Sequence, residues 1–280
     1  MARFWITIWL VLSLLMSFEF YRLNHQPQKA LLSQLQNRNL LNQKFDISPE
    51  SGRPLSLIFG YAGFALMIMT NLYILRKRFS SFQKLGVLRN WLDFHIFCGL
   101  MGPTLILFHC NFKVHGLVAV SFWSMIVSVT SGVVGRYVYI QISKIKGDFT
   151  READLNLSRL KSYMERSKIA LTEAELLPFR ARALELAGGN HASLNPVSAL
   201  IFSVAADLRL MFLPVPAPEQ TGEVGKLLLK QYALNTRKAN TVGSFNRLMG
   251  YWHTFHTPFA VFMYAAAVIH ILAEFWLGAA

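Results

Sequence analysis

Residues Trp91–Cys110 read WLDFHIFCGLMGPTLILFHC, and residues Trp252–Leu277 read WHTFHTPFAVFMYAAAVIHILAEFWL. Each stretch is apolar over roughly the twenty residues that a helix needs to cross hydrocarbon. Each also carries two histidines fourteen positions apart, His95 with His109 and His256 with His270. At about 100° per residue, fourteen steps fall about 40° short of four full turns, so both rings of a pair share one helix face. A rise of about 1.5 Å per residue separates them by about 21 Å along the axis. One ring then lies near each edge of a hydrocarbon layer about 30 Å thick. Imidazole inside lipid is costly and usually functional, and it is an axial ligand of haem iron. Two such helices side by side predict two bis-histidine haem sites stacked across a membrane.

The bulk composition agrees. Charged residues make up 15% of the 280, and the mean hydropathy is +0.34. A soluble domain carries about 25% charge, so the deficit points to lipid. The net charge of +13 falls in segments beside apolar spans, where it sets orientation and attracts anionic headgroups. No nucleic-acid-binding motif is present, and no nucleic acid is expected as a partner. The two cysteines, Cys98 and Cys110, lie about 18 Å apart on one predicted helix, too far for a disulfide. They read as small packing residues. The sequence has no C-x-x-C-H, which excludes covalently attached c-type haem on this chain.

Five spans are expected, at about 4–20, 55–75, 91–110, 117–140 and 252–277. The first has only Arg3 before it, and Ser17-Phe18-Glu19 is a poor cleavage site, so it reads as a retained helix rather than a signal peptide. Residues 21–54 are polar and end at Pro54. The connection 76–90 holds Arg76, Lys77, Arg78, Lys84 and Arg89 and no acid, which marks it as cytoplasmic. The connection 111–116 has only Lys113. This alternation places the N-terminus inside and the C-terminus outside, in an inner (plasma) membrane of bacterial type. The third and fifth spans then run parallel, with His95 level with His256 on the inner side and His109 level with His270 on the outer side.

Between the fourth and fifth spans, residues 141–251 form a helical cytoplasmic insertion with fifteen basic and ten acidic residues. Residues 151–168 and 173–187 are predicted amphipathic helices. Thr172 with Glu175 makes a capping box, and Gly188-Gly189-Asn190 is a stop signal. Pro214-Val215-Pro216-Ala217-Pro218 is a short stiff linker. The apolar run Ala199–Leu213 contains Asp207 and Arg209. It suits a helix on the membrane surface, or one packed in the insertion, better than a crossing. The expected fold is therefore an all-α integral membrane protein: a five-helix transmembrane bundle with residues 1–140 carrying four spans, 141–251 the insertion and 252–280 the fifth.

The faces between the histidines suit a flat, wide ligand. Gly99 and Gly102 lie between His95 and His109, and Gly132 and Gly135 lie on the fourth span; small residues let a porphyrin edge or a second backbone approach. Arg136, His253 and His115 are candidates for propionate or quinone contacts. A helix with two histidines thirteen to fourteen residues apart, then one intervening helix and a second such pair, resembles the diheme core of ferric-reductase-like and cytochrome b561-type membrane cytochromes. The matching positions are His95, His109, His256 and His270, and the resemblance covers mainly 91–140 and 252–277.

The resemblance implies two b-type haems (protohaem IX), with His95 and His256 as axial ligands of an inner iron and His109 and His270 of an outer one. The chain has no G-x-G-x-x-G after a strand and no flavin or NAD(P)H domain following Leu277, so an electron-transfer subunit is expected rather than a self-sufficient oxidoreductase. The expected partners are the lipid bilayer, a cytoplasmic flavin or iron–sulfur protein docked on the insertion, and an outer-side electron acceptor or donor. Two other readings stand beside this one. One is a quinone-reactive cytochrome b subunit of a respiratory complex, with quinone as a further cofactor. The other is a haem-free anchor or a metal or proton transporter.

Overall fold

The computed structural model describes residues 2–114, 116–188 and 195–277. The described residues are 81% helical, with no strand among them. The helices are α1 (Ala2–His25), α2 (Leu31–Asn37), α3 (Pro54–Met69), α4 (Leu72–Arg78), α5 (Ser80–Gln83), α6 (Leu88–His109), α7 (Gly116–Gln141), α8 (Lys146–Arg166), α9 (Glu173–Leu186), α10 (Pro196–Phe212) and α11 (Gly222–Leu277). Among the described residues, five segments are long and apolar enough to cross a membrane: Phe4–His25, Pro54–Arg78, Leu88–His109, Ala119–Gln141 and a stretch within Glu219–Trp276. Their outward side chains are large and apolar, among them Leu14, Trp123 and Phe262. That arrangement is compatible with an integral membrane protein in a lipid bilayer, since water would not tolerate so much exposed hydrocarbon.

The chain divides into two compact units, Met1–Gly132 with Pro258–Ala280, and Val133–Thr257. Each is described by itself.

In the first unit, α3 and α6 form the closest pair. Contacts run Ser56 to His109, Gly63 to Gly102 and Thr70 to His95. One number rises as the other falls, so the helices are antiparallel. At their middle the backbones nearly touch: a Cβ on Gly63 would stand 2.9 Å from the Gly102 carbonyl oxygen, and one on Gly102 would stand 2.8 Å from Met67 Cγ. Against α6, α1 runs the other way. Trp5 meets Phe97 with ring centroids 4.8 Å apart, the Trp9 indole donates to Thr104 Oγ1 at 3.0 Å, and Phe20 meets Phe108 at 5.1 Å. Both numbers rise together, so α1 and α6 are parallel, as the first and third of three alternating crossings are.

The second span is not one helix. It breaks at Thr70–Asn71, between α3 and α4. Ile74 N donates to Asn71 O at 2.9 Å instead of to Thr70 O, which accepts a longer bond from Tyr73 N at 3.3 Å. After the break, the buried Arg76 folds back onto the turn that follows, donating to Leu85 O at 3.2 Å and Gly86 O at 2.9 Å. That turn needs Gly86 at φ +67°, a conformation glycine adopts without a Cβ penalty. One of the five cations of the 76–90 connection is thus committed to local structure.

In the second unit, α8, α9, α10 and the first part of α11 share a core of Leu160, Met164, Leu176, Ala183, Leu210 and Leu229. The capping box forms in full: Thr172 Oγ1 accepts from Glu175 N, and the Glu175 carboxylate accepts from Thr172 N at 2.7 Å. Thr172→Ala should cost the first turn of α9 about 1 kcal/mol, read as about fivefold faster amide exchange over residues 173–176. Those Thr172 bonds hold the Glu175 carboxyl below its ordinary value of 4.5, and a hydrogen bond from Lys161 does the same for Glu173. A lowered folded value means the stabilisation is present above pH 4.5 and fades as pH falls through the folded value. Acid should therefore open this turn first.

The fifth span belongs to a helix that begins at Gly222, thirty residues before Trp252. The apolar run Ala199–Leu213 forms α10, at 17 residues, which is not among the five long spans. Of the stop signal after α9, Gly188 adopts φ +72°, while Gly189 and Asn190 lie outside the described residues.

Candidate functional site

His95 and His109 stand at the two ends of one face of α6, and both rings rest against the α3–α4 segment. His109 Nδ1 lies 2.9 Å from the Ser56 carbonyl oxygen, and His95 Nδ1 lies 2.9 Å from the Thr70 carbonyl oxygen. A carbonyl only accepts, so Nδ1 carries the proton in each ring. Nε2 keeps its lone pair and points away from the carbonyl. Metal-ligating histidines are oriented in this way, by an Nδ1–H bond that fixes the tautomer and raises the basicity of the other nitrogen.

Each carbonyl is reached for a local reason. At the break Thr70 O accepts from Tyr73 N at 3.3 Å rather than from Ile74 N, and a second lone pair meets His95. Ser56 O sits one turn below Gly60, where a Cβ would stand 2.8 Å from His109 Nδ1, so only glycine lets the ring reach it. Ser56 is fully buried and its hydroxyl donates to His109 O at 2.8 Å, satisfying one of the carbonyls that the end of α6 leaves without a helical partner.

Residues of α11 reach the same level. Met263, seven positions after His256 and seven before His270, packs in one cluster with Met67 and Met125. Met67 in turn lies against Gly102, seven positions after His95 and seven before His109. Ile106 and Tyr264 pack around the same methionines. Met263 and Gly102 thus both border Met67. Tyr264 bridges the break in the second span: its hydroxyl donates to Met67 O, lies 3.1 Å from Thr70 Oγ1 and accepts from Asn71 Nδ2 at 3.0 Å. His109 and His270 are both half-buried.

The other candidate residues divide. Gly102 serves the close approach of α6 to α3. Space beside Gly99 is open, with nothing within 4 Å of a built Cβ. Gly132 is half-buried in α7. In the second unit the space beside Gly135 is taken by the Trp252 indole, which stacks on His256 at 4.7 Å and 19°. His253 is exposed and meets Trp252 edge-on at 6.4 Å. Arg136 lies over the Tyr139 ring at 5.8 Å. His115 lies outside the described residues. His95 belongs to one unit and His256 to the other. Cys98 and Cys110 are buried free thiols.

Sequence reasoning missed Ser56, Gly60, Thr70, Tyr264 and Asp93, the last a carboxyl 1% exposed in α6, two residues before His95. Polar side chains within an apolar span were the available signal. No cluster of three or more His, Cys, Asp or Glu side chains suited to a metal occurs among the described residues; bis-histidine ligation needs only two. No family model matches this chain, and no curated protein or solved structure is significantly similar to it.

Proposed function

We propose that this chain is a membrane cytochrome that holds two b-type haems by paired histidines and carries single electrons across the bilayer. The observation that carries the reading is the identical treatment of His95 and His109: each gives Nδ1–H to a backbone carbonyl of the α3–α4 segment at 2.9 Å and keeps Nε2 for a ligand. A merely packed imidazole would satisfy either nitrogen, with no reason for the same choice at both ends of the stripe. The residues fit the group. Nε2 of His109 and of His270 would hold the outer iron, and the open side of Gly99 leaves room on the α6 face. The methionine cluster fills the level midway between the histidines, as two separate sites require.

The inner assignment, His95 with His256, rests on the spacing in the sequence. Bound haem iron supplies a one-electron couple that no side chain here offers. Histidine ligation from both helices would leave no coordination position for substrate, so electrons would enter and leave at the edges of the bound group. In this reading residues 141–251 face the cytoplasm and dock a flavin or iron–sulfur donor, and the outer site meets an acceptor or donor on the other side. The resemblance to the ferric-reductase-like and b561-type cores supports the same assignment.

Purified full-length protein should show a b-type reduced-minus-oxidised spectrum and a haem content near two per chain. Protein without a Soret band and without iron would overturn the reading and select a haem-free anchor or transporter.

A further inference from the structure

The helix α10 carries two apolar faces, and only one of them is covered. Ala199, Ser203, Ala206 and Leu210 are buried against the second unit. At about 100° per residue these four fall within about 60° of one another. On the other side, Val197, Ile201, Val204, Leu208, Met211 and Phe212 fall within about 100° of arc and are all exposed, Met211 and Phe212 by three quarters. Asp207 and Arg209 lie between the two faces, and Asp207 is already engaged by Arg237 at 2.6 Å and by the Tyr137 hydroxyl at 2.6 Å. The outward face therefore presents six large apolar side chains and no charge.

What covers it follows from where α10 is tied. Tyr137 belongs to α7, four residues before the end of the span Ala119–Gln141, about 6 Å along the axis. Its hydroxyl bond to Asp207 holds α10 at the depth of the last turn of a membrane-spanning helix. The neighbouring outward side chains of that turn, Tyr139 and Ile140, are themselves exposed and apolar. At 17 residues and with one face packed on protein, α10 does not cross. We infer that α10 lies in the plane of the bilayer surface with its Val197–Phe212 face sunk into the headgroup and upper acyl region, a monotopic contact beyond the five spans. The inference rests on the spans and on α10 itself, and it is independent of haem.

The test uses the full chain with Ile201→Cys, Leu208→Cys or, as a solvent-facing reference on α8, Asp154→Cys. Each is labelled with an environment-sensitive NBD probe, with the unsubstituted chain as blank for the buried native thiols. The proteins are placed one per nanodisc of phosphatidylcholine and phosphatidylglycerol containing doxyl-labelled lipid. Blue-shifted emission at 201 and 208, quenched several-fold more than at 154 and more by shallow than by deep doxyl groups, is expected. Emission and quenching at 201 and 208 equal to those at 154 would overturn the inference. Stronger quenching by the deep label would also overturn it, in favour of a crossing helix. A blue shift seen only with two chains per disc would overturn it in favour of a second copy as the occupant.

Discussion

His109→Ala is expected to leave the purified chain with roughly half its haem, and Gly60→Ala to weaken the same site without touching a ligand. The alanine methyl would stand 2.8 Å from His109 Nδ1 and 3.0 Å from Cε1, inside any contact a real Cβ makes. Parting α3 from α6 would undo the close packing at Gly63 and Gly102, so the side chain is the easier part to move. The ring must turn instead, losing the Ser56 carbonyl. Loss of an orienting partner typically lowers metal affinity about 10–100-fold. Haem-to-protein ratio and the low-spin ferric signal check both variants. Gly60→Ala should yield a substoichiometric or altered outer site, His270→Ala should match His109→Ala, and His25→Ala should change neither. Full pigment in both the His109 and His270 variants would refute the assignment.

The second large effect is structural. Arg237 is 1% exposed and donates to the Ala187 and Ser203 carbonyls at 3.4 and 3.2 Å, and to Asp207 at 2.6 Å. It joins the end of α9, two positions on α10 and, through Asp207, Tyr137 of α7. Arg237→Ala strands a carboxylate and two carbonyls together; breaking a fully buried pair from one side costs about 3–5 kcal/mol, and because the Asp207 side chain is 34% exposed the cost should fall below that range. The second unit should melt well below the parent in detergent and be cut by protease within α10. Arg237→Met combined with Asp207→Asn should recover part of that loss, since the uncompensated charge is gone. Parent-like melting of Arg237→Ala would show that the network contributes little. Loss of the Tyr137–Asp207 tie should also release the quenching expected for the labelled Ile201 position.

Periodicity made the spans legible, because lipid demands twenty apolar residues whatever packs beside them. The capping box at Thr172 was legible for a similar reason: both of its bonds are made within four residues. Ends set by polarity were less secure. The fifth span was read as beginning at Trp252, where the sequence turns apolar, yet backbone hydrogen bonding is indifferent to polarity and the helix starts at Gly222. Facing was harder still. Gly102 lies on the histidine stripe, but whether it meets a cofactor or a neighbouring helix depends on a partner far away in sequence, here Gly63. Gly135 takes an indole for the same reason. The break at Thr70–Asn71 left no mark, because neither residue forbids helix. Without it the carbonyl for His95 has no explanation.

The three sulfurs of Met67, Met125 and Met263 hold α3, α7 and α11 together at one depth. Thioethers are soft and adaptable, but they are also the oxidisable groups of this core. A sulfoxide at any of them would place a strong, chiral dipole among packed apolar side chains, wedging apart the helices that carry Tyr264 and Thr70. Peroxide stress would then reach the histidine on α6 indirectly, through spoiled packing, and enzymatic repair of one oxygen atom would restore it.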